Sequence, residues 1–456
     1  MSPPPSSIAA RESFLATIRA ADLFNPTQFA RLDSALPKSA ATPMECAQAL
    51  LASGLLTRYQ AERLAAGRTD GFHLGPYIIQ EPVGRGAMGR VYRAKHRTMN
   101  RSVAIKILSS GLTRTESSRE EFHREVRAAA QLNHPNVVTA YDANEFSGRF
   151  YLVLEYVDGP NFESLVRSRG PLPVAEACEL ARQVAVGLDH AHEHRIIHRE
   201  IKPANLLIAR PTPANPDYLV KIADFGVAKL SPWQTVTSGG LLGTPDFVAP
   251  EQAHDPRQAD HRADLYSLGA VLFFLLTGQP PFPGGTVEEK IRRHLWEEPV
   301  RIDRCRYDLH PAITALVHQL LAKNPAQRPS GAMEVAERLG NLVDSCGMVN
   351  FDLPARTAVH HSVSGTLSGC HAVPMAEAVN GTPATAVDQA AVSTLDASPW
   401  SQITVAAEVV NPSTSSATAR HPAASSVSSW TPGRWTAGLF VAGAAALSVM
   451  IRAMAR

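Results

Sequence analysis

The sequence predicts an α+β protein with most of its residues in one two-lobed domain, and two runs carry that prediction. A strand-like segment, Tyr77-Ile78-Ile79, enters a glycine-rich turn, Gly84-Arg85-Gly86-Ala87-Met88-Gly89, and leaves as another strand, Val91-Tyr92-Arg93-Ala94. An apolar strand, Val103-Ala104-Ile105-Lys106, then precedes a segment from Glu120 to Leu132 in which Phe122, Val126, Ala129 and Ala130 recur at helical spacing.

Bulk properties fit a soluble globular chain. Of 456 residues, 19% are charged and 45% hydrophobic, and the formal net charge of +2 implies no field that would gather nucleic acid. Five cysteines lie scattered without a C-x-x-C pair, which speaks for a reducing compartment and against a disulfide framework or zinc site. Met1-Ser2-Pro3-Pro4-Pro5 lacks the charged and apolar regions of a signal peptide, so no leader is expected.

Residues 1–72 read as a small helical module. Asn25-Pro26 is a helix start with proline at the first helical position. Thr42-Pro43-Met44-Glu45 and Thr57-Arg58-Tyr59-Gln60 match the capping box, in which two orphan N–H groups are satisfied reciprocally. Gly54 and Gly67 stand where helix stops are expected. Leu50, Leu51, Leu55, Tyr59 and Leu64 are the candidate core, and so small a bundle needs a neighbour to pack on.

Residues 77–345 carry the motifs. A G-x-G-x-x-G turn between strands lets backbone N–H groups approach phosphates with no Cβ in the way. A helix would follow it in a dinucleotide fold, whereas a strand follows here. Lys106 ends the next strand. Further on come His198-Arg199-Glu200-Ile201-Lys202-Pro203-Ala204-Asn205, then Asp224-Phe225-Gly226 behind the strand Leu219–Ile222. Gly243-Thr244-Pro245-Asp246-Phe247-Val248-Ala249-Pro250-Glu251, Asp264-Leu265-Tyr266-Ser267-Leu268-Gly269 and Arg328-Pro329 complete the set.

Residues 352–430, rich in Ser, Thr, Ala, Val and Pro, read as a flexible linker. Trp435 to Ile451 is an uncharged run between Arg434 and Arg452. Its length of roughly 26 Å as a helix is slightly short of the ~30 Å hydrocarbon core, and the flanking arginines can snorkel to extend it. A transmembrane helix over 435–451 is therefore expected, with no domain beyond it. Gly438, Ala442, Gly443 and Ala446 would allow close pairing with a second such helix.

In order and spacing the motifs of 77–345 resemble the Hanks-type serine/threonine protein kinases, in particular their bacterial, membrane-tethered branch. The resemblance implies a β-rich N-lobe and a helical C-lobe with ATP between them, and Mg²⁺ or Mn²⁺ as the metal. Val83, Gly84, Gly86 and Gly89 would cover the nucleotide. Val91, Ala104 and Leu207 would enclose the adenine, with Leu154 as gatekeeper and Glu155 and Val157 as hinge. Lys106 would touch the α- and β-phosphates and pair with Glu125; Glu121, one helical turn earlier, is the rival partner. Asp224 and Asn205 would hold the metal, Lys202 the γ-phosphate, and Thr244 would bond to the catalytic residues. Asp264 belongs to the central lobe helix, and Glu251 and Arg328 would form a buried ion pair. Arg199 would receive a phosphorylated activation segment, with Thr235, Thr237 and Ser238 as candidate sites.

The implied activity is transfer of the ATP γ-phosphate to Ser or Thr hydroxyls of protein substrates. Cytosolic ATP would place the catalytic domain in the cytoplasm, tethered to the membrane by its C-terminal helix. Dimerisation through the back of the N-lobe or through that helix is a further expectation. Two departures from the pattern stand out. A Pro-rich insertion spans Arg210 to Tyr218, and Glu200 occupies the position of the catalytic Asp. Glu keeps the charge and a similar pKa, ~4.3 against ~3.9. Its extra methylene shifts the carboxylate by about 1 Å, enough to cost about 10²-fold in rate. A slowed kinase is expected; the alternative is a membrane-tethered pseudokinase scaffold that binds ATP without transferring phosphate.

Overall fold

A computed structural model describes residues 5–37, 40, 42–86, 89–109, 115–211, 218–225 and 245–346. Several expectations lie outside these residues: the turn at Ala87 and Met88, Gly226, Thr235, Thr237, Ser238, Thr244, most of the Pro-rich insertion, the linker and the 435–451 run.

The N-terminal module forms four helices: α1 (Pro5–Ala20), α2 (Pro26–Ala35), α3 (Pro43–Ala52) and α4 (Arg58–Ala65). Their starts follow the sequence signals. Asn25 caps α2 and Thr57 caps α4, each in a complete capping box, and the Thr42 hydroxyl accepts from Glu45 N at 3.2 Å. Gly54 and Gly67 take φ of +70° and +72° at the stops after α3 and α4, a conformation glycine adopts without steric cost. The core is larger than expected. Phe14, Ile18, Leu32, Cys46, Leu50, Leu64 and Phe72 are buried in it, while Leu55 and Tyr59 pack at its margin. Leu51 is a correction, because it faces solvent while Leu50 beside it on α3 is buried. Periodicity gives one buried stripe per amphipathic helix, and adjacent leucines cannot both occupy its centre.

A six-stranded antiparallel sheet follows, in the order β1-β2-β3-β4-β6-β5. Its strands are β1 (His73–Leu74), β2 (Tyr77–Gly86), β3 (Gly89–His96), β4 (Ser102–Leu108), β5 (Ala140–Phe146) and β6 (Arg149–Glu155). Helix α5 (Glu116–Ala129) packs Phe122 onto Phe150 with ring centroids 5.0 Å apart. The module sits on β2: Ile78 packs against its core, and His73 Nε2 lies 2.8 Å from Ala21 O.

The second lobe is helical: α6 (Phe162–Arg169), α7 (Val174–Glu193), α8 (Pro250–His254), α9 (Arg262–Thr277), α10 (Val287–Trp296), α11 (Ile302–Cys305), α12 (Pro311–Leu320) and α13 (Ala332–Cys346). Helix α9 is apolar on nearly every side and runs buried through the centre of the lobe. A hairpin of β7 (Leu206–Ala209) and β8 (Leu219–Ile222) lies against α7 and carries the segments that face the sheet. Arg328 is held by Glu251 at 2.5 and 2.9 Å and donates to the carbonyls of Arg262, Ala322 and Lys323, so this fully buried cation is saturated.

Candidate active site

Three elements converge between the lobes. The first is the β2–β3 hairpin, where Gly86 pairs with Gly89. Gly89 has φ +150°, and a Cβ there would lie 1.9 Å from Ile107 O, so only glycine fits beside β4. Val91, Ala104 and Leu207, the expected adenine enclosure, are each half-buried, as is Val83, and Val157 is buried. At the end of β6 the Glu155 amide donates to Thr139 O at 2.9 Å, and its carboxylate accepts from Lys221 at 2.7 Å and from Thr139 N at 3.2 Å. The side chain of Glu155 is thus committed to the scaffold, which leaves hinge chemistry to the backbone. The Lys221 partner has no sequence signal, since it depends on β8 passing under β6.

The second element is the loop before β7. Asp264, fully buried on α9, accepts from three donors: His198 N at 2.8 Å, Arg199 N at 2.8 Å and His192 Nε2 at 2.9 Å. Burial alone would raise its pKa, but the bonds and charge of His192, with His198, hold it below the ordinary carboxylate value. Arg199 takes φ +67°, a strained conformation for a side chain of its size, and this pair of amide bonds fixes it. His198 accepts from Glu200 N at Nδ1, 3.1 Å, so its Nε2 carries the proton given to Ala223 O at 2.9 Å. One imidazole therefore ties this loop to the third element. His192 lies outside every motif, and although His198 opens the loop motif, no local pattern shows that it ties the loop to Ala223.

The third element is Asp224, at φ +69°, with Phe225 edge-on to His198 at 4.7 Å. Lys106, expected to pair with Glu125, forms its ion pair with Asp224 instead, at 2.9 Å. The positive φ turns the Asp224 carboxylate toward β4, where the buried ammonium lies. Glu125 stands buried on α5 in the wall of a cavity of about 30 Å³, with Leu154, Asp224 and Phe225 also lining it. Burial raises the Asp224 pKa, and Lys106 followed by Lys202 and His198 more than reverses that, so the group is held ionised.

Glu200 is linked to Asp224 through Lys202, whose charge acts on both carboxylates. Its Oε1 accepts a short hydrogen bond from Lys202 Nζ, and both side chains are one-fifth exposed. Asn205 Nδ2 donates to Glu200 O at 2.9 Å, and Asn205 N and O close onto Lys202 O and Ala223 N, each at 2.9 Å. No hydrogen bond engages Asn205 Oδ1 among the described residues, and that oxygen and the Asp224 carboxylate are donors of the kind hard divalent cations take. The Nε of Arg199 is buried and has no hydrogen-bond partner among the described residues.

Residues 77–339 match the family described as the protein kinase domain. The serine/threonine-protein kinase PknF of Mycobacterium tuberculosis is 36% identical over 282 residues, covering 61% of this chain and 58% of that protein. The serine/threonine-protein kinase PknB of Mycolicibacterium smegmatis is 38% identical over 266 residues, covering 57% of this chain and 41% of that protein. The crystal structure of the Mycobacterium tuberculosis PknI kinase domain is 28% identical, with a TM-score of 0.47, and covers 59% of this chain and 98% of its own. The match thus spans less than two thirds of either relative's length. With more than half of its residues in that match, the chain belongs to the protein kinase domain family.

Proposed function

We infer that this chain is a serine/threonine protein kinase that transfers the γ-phosphoryl group of ATP to a Ser or Thr hydroxyl of a protein, at a rate limited by the carboxylate at position 200. One observation carries the reading: two ion pairs, Lys106–Asp224 and Lys202–Glu200, stand near enough that Lys202 also acts on Asp224, which joins two cations and two carboxylates in one chain. In the reaction the substrate hydroxyl oxygen forms a bond to the γ-phosphorus, the bond to the β,γ-bridging oxygen breaks, and ADP departs. Lys106 and Lys202 neutralise phosphate oxygens, the one at the α- and β-phosphates and the other at the γ-phosphate. Glu200 orients the hydroxyl and accepts its proton. Asp224 and Asn205 Oδ1 would hold Mg²⁺ or Mn²⁺, which would supply positive charge against the phosphates. Positioning and electrostatics carry most of phosphoryl transfer, so a longer carboxylate slows the reaction without abolishing it.

The same reading takes in Thr244, as a bonding partner of the catalytic residues, and Arg199, as the receiver of phosphate on Thr235, Thr237 or Ser238. It also places a membrane anchor at residues 435–451 and the catalytic domain on the cytosolic side. No helix among the described residues is long and apolar enough to cross a membrane, and 435–451 lies outside them. The charge-free run flanked by arginines supports the anchor; carbonate-resistant sedimentation with membranes, lost on truncation before Arg434, is the check. For the activity, labelled ATP is supplied to the purified full chain with a generic Ser/Thr substrate. Wild type is expected to transfer weakly and Lys106→Ala not at all. ATP binding without any transfer in wild type would overturn the enzyme reading.

A further inference from the structure

The capping box at the start of α4 does more than begin a helix. Strand β2 carries one residue more than β3 at two places, between Ile79 and Glu81 and between Pro82 and Gly84, so that Gln80 and Val83 are bulged. A bulge removes backbone groups from the ladder and bends the strand. On the opposite edge of the strand, the backbone at and beside the first bulge faces the N-terminal module. Gln60 Nε2 donates to Ile79 O at 2.9 Å, the Thr57 hydroxyl donates to Gln80 O, and Ile79 N donates to Phe72 O at 2.8 Å.

The two side chains doing this are the capping residues themselves. Gln60 Oε1 accepts from Thr57 N at 3.1 Å, and Thr57 Oγ1 accepts from Gln60 N at 3.3 Å. Each side chain thus uses one atom or lone pair on its own helix and a donor on β2. Gln60 is buried, so its amide has no water to fall back on, and neither residue can swing away without leaving polar groups unpaired. Three residues past the first bulge the chain enters Val83 and Gly84 and the hairpin over the cleft. The bend is braced on its other side by Glu81, paired with Arg93 at 3.2 Å, whose guanidinium lies 4.9 Å over the Tyr156 ring beside Glu155.

We propose that Thr57 and Gln60 are positioning residues for the nucleotide: by clamping the β2 bulge they set the height of the Gly84–Gly89 hairpin above the phosphates. The module is then a working part of the ATP site. This rests on the kinase reading above, and the test separates the two.

Four variants of the full chain are compared with wild type. Thr57→Asp keeps a helix-capping oxygen but loses the hydroxyl that donates to Gln80. Gln60→Met keeps bulk and loses the amide. Thr57→Ser retains both bonds. Thr42→Ala removes a cap of α3 away from β2. Measured are the MgATP dissociation constant, amide exchange across residues 83–91, and the melting temperature. Thr57→Asp and Gln60→Met are expected to weaken MgATP about 5-fold, the size of one hydrogen bond, and to speed exchange in the hairpin. Thr57→Ser should restore both readouts, and Thr42→Ala should lower the melting temperature alone. Unchanged MgATP affinity and hairpin exchange in the first two variants, with melting lowered as in Thr42→Ala, would overturn the proposal. A wild type that binds MgATP without transferring phosphate sinks the kinase reading only; one that binds none sinks both.

Discussion

The two walls of the cleft are held by different physics. Below, the loop from His198 to Asn205 hangs on one buried carboxylate, Asp264, and on an imidazole with both nitrogens engaged. Above, strand β2 at the root of the β2–β3 hairpin is tied to an appended module by two neutral side chains. A charge-assisted bond is roughly twice as strong as a neutral one, and a buried carboxylate stripped of partners is far costlier than a buried amide. The lower wall is therefore rigid and breaks only at high cost. The upper wall is the one that small changes can tune, which suits a loop that must admit and release a nucleotide.

The largest effect is expected where the lower wall is cut. Asp264→Ala strands two backbone amides and His192 in a dry core and frees Arg199 from its strained φ. A loss of about 3–5 kcal/mol is expected, the range for breaking a buried charged network, with transfer abolished. Denaturant unfolding of the full chain measures it. A loss near 1 kcal/mol would put the two walls on equal terms and remove the contrast.

Next comes the carboxylate carried by the lower wall. Glu200→Asp leaves the Asn205 bond untouched, because that bond goes to the Glu200 carbonyl. It withdraws the side chain by about one methylene and weakens the contact with Lys202. A gain in turnover of about 10- to 100-fold, with ATP KM little changed, is expected from correcting a misplacement near 1 Å. A rise in ATP KM would show that position 200 shapes nucleotide binding as well.

The lower wall was also the more legible in the sequence. His198 to Asn205, Asp224 and Asp264 were located by motif and order, since charged groups that must meet a phosphate or fix a loop leave little choice of residue type. Their partners were not legible. Which carboxylate Lys106 meets, or that Lys221 reaches Glu155, depends on how strands cross, and no local pattern encodes that. In the module, the box Thr57-x-x-Gln60 was visible as a helix start, yet its second set of bonds was not. A bulge in β2 leaves no mark on the alternation of apolar residues long enough to be read. Leu51 failed for the opposite reason, since composition favoured it and the helix face did not.

Deeper in the helical lobe, His294 offers a pH test of how tightly the lower half is built. It is buried, its Nδ1 lies 2.9 Å from the Tyr266 hydroxyl, and burial with Lys323 nearby lowers its pKa to about 3. Unfolded, it would titrate near 6.5. The unfolded chain therefore binds the extra proton between those values, so the stability due to neutral His294 is complete above about pH 6.5 and falls as the pH drops toward 3. Between pH 6.5 and 5 the loss is expected to be about 2 kcal/mol at ~1.4 kcal/mol per pH unit. His294→Gln should flatten that slope. An unaltered slope would assign the acid sensitivity to other groups.

The smallest effect belongs to the most visible contact between the module and the sheet. Arg97 forks onto Asp22 at 2.7 and 2.9 Å, and the pair holds the Asp22 carboxyl below its ordinary pKa. Both side chains are half-exposed, so water and salt screen the attraction and the unpaired groups are readily resolvated. If the module is fastened by Phe72, Gln60 and Thr57, then Asp22→Ala should leave hairpin exchange and MgATP affinity unchanged and shift the melting temperature only marginally, less still in high salt. An Asp22→Ala chain that loosens the hairpin as much as Gln60→Met would mean that charge, and not the capping box, holds the upper wall in place.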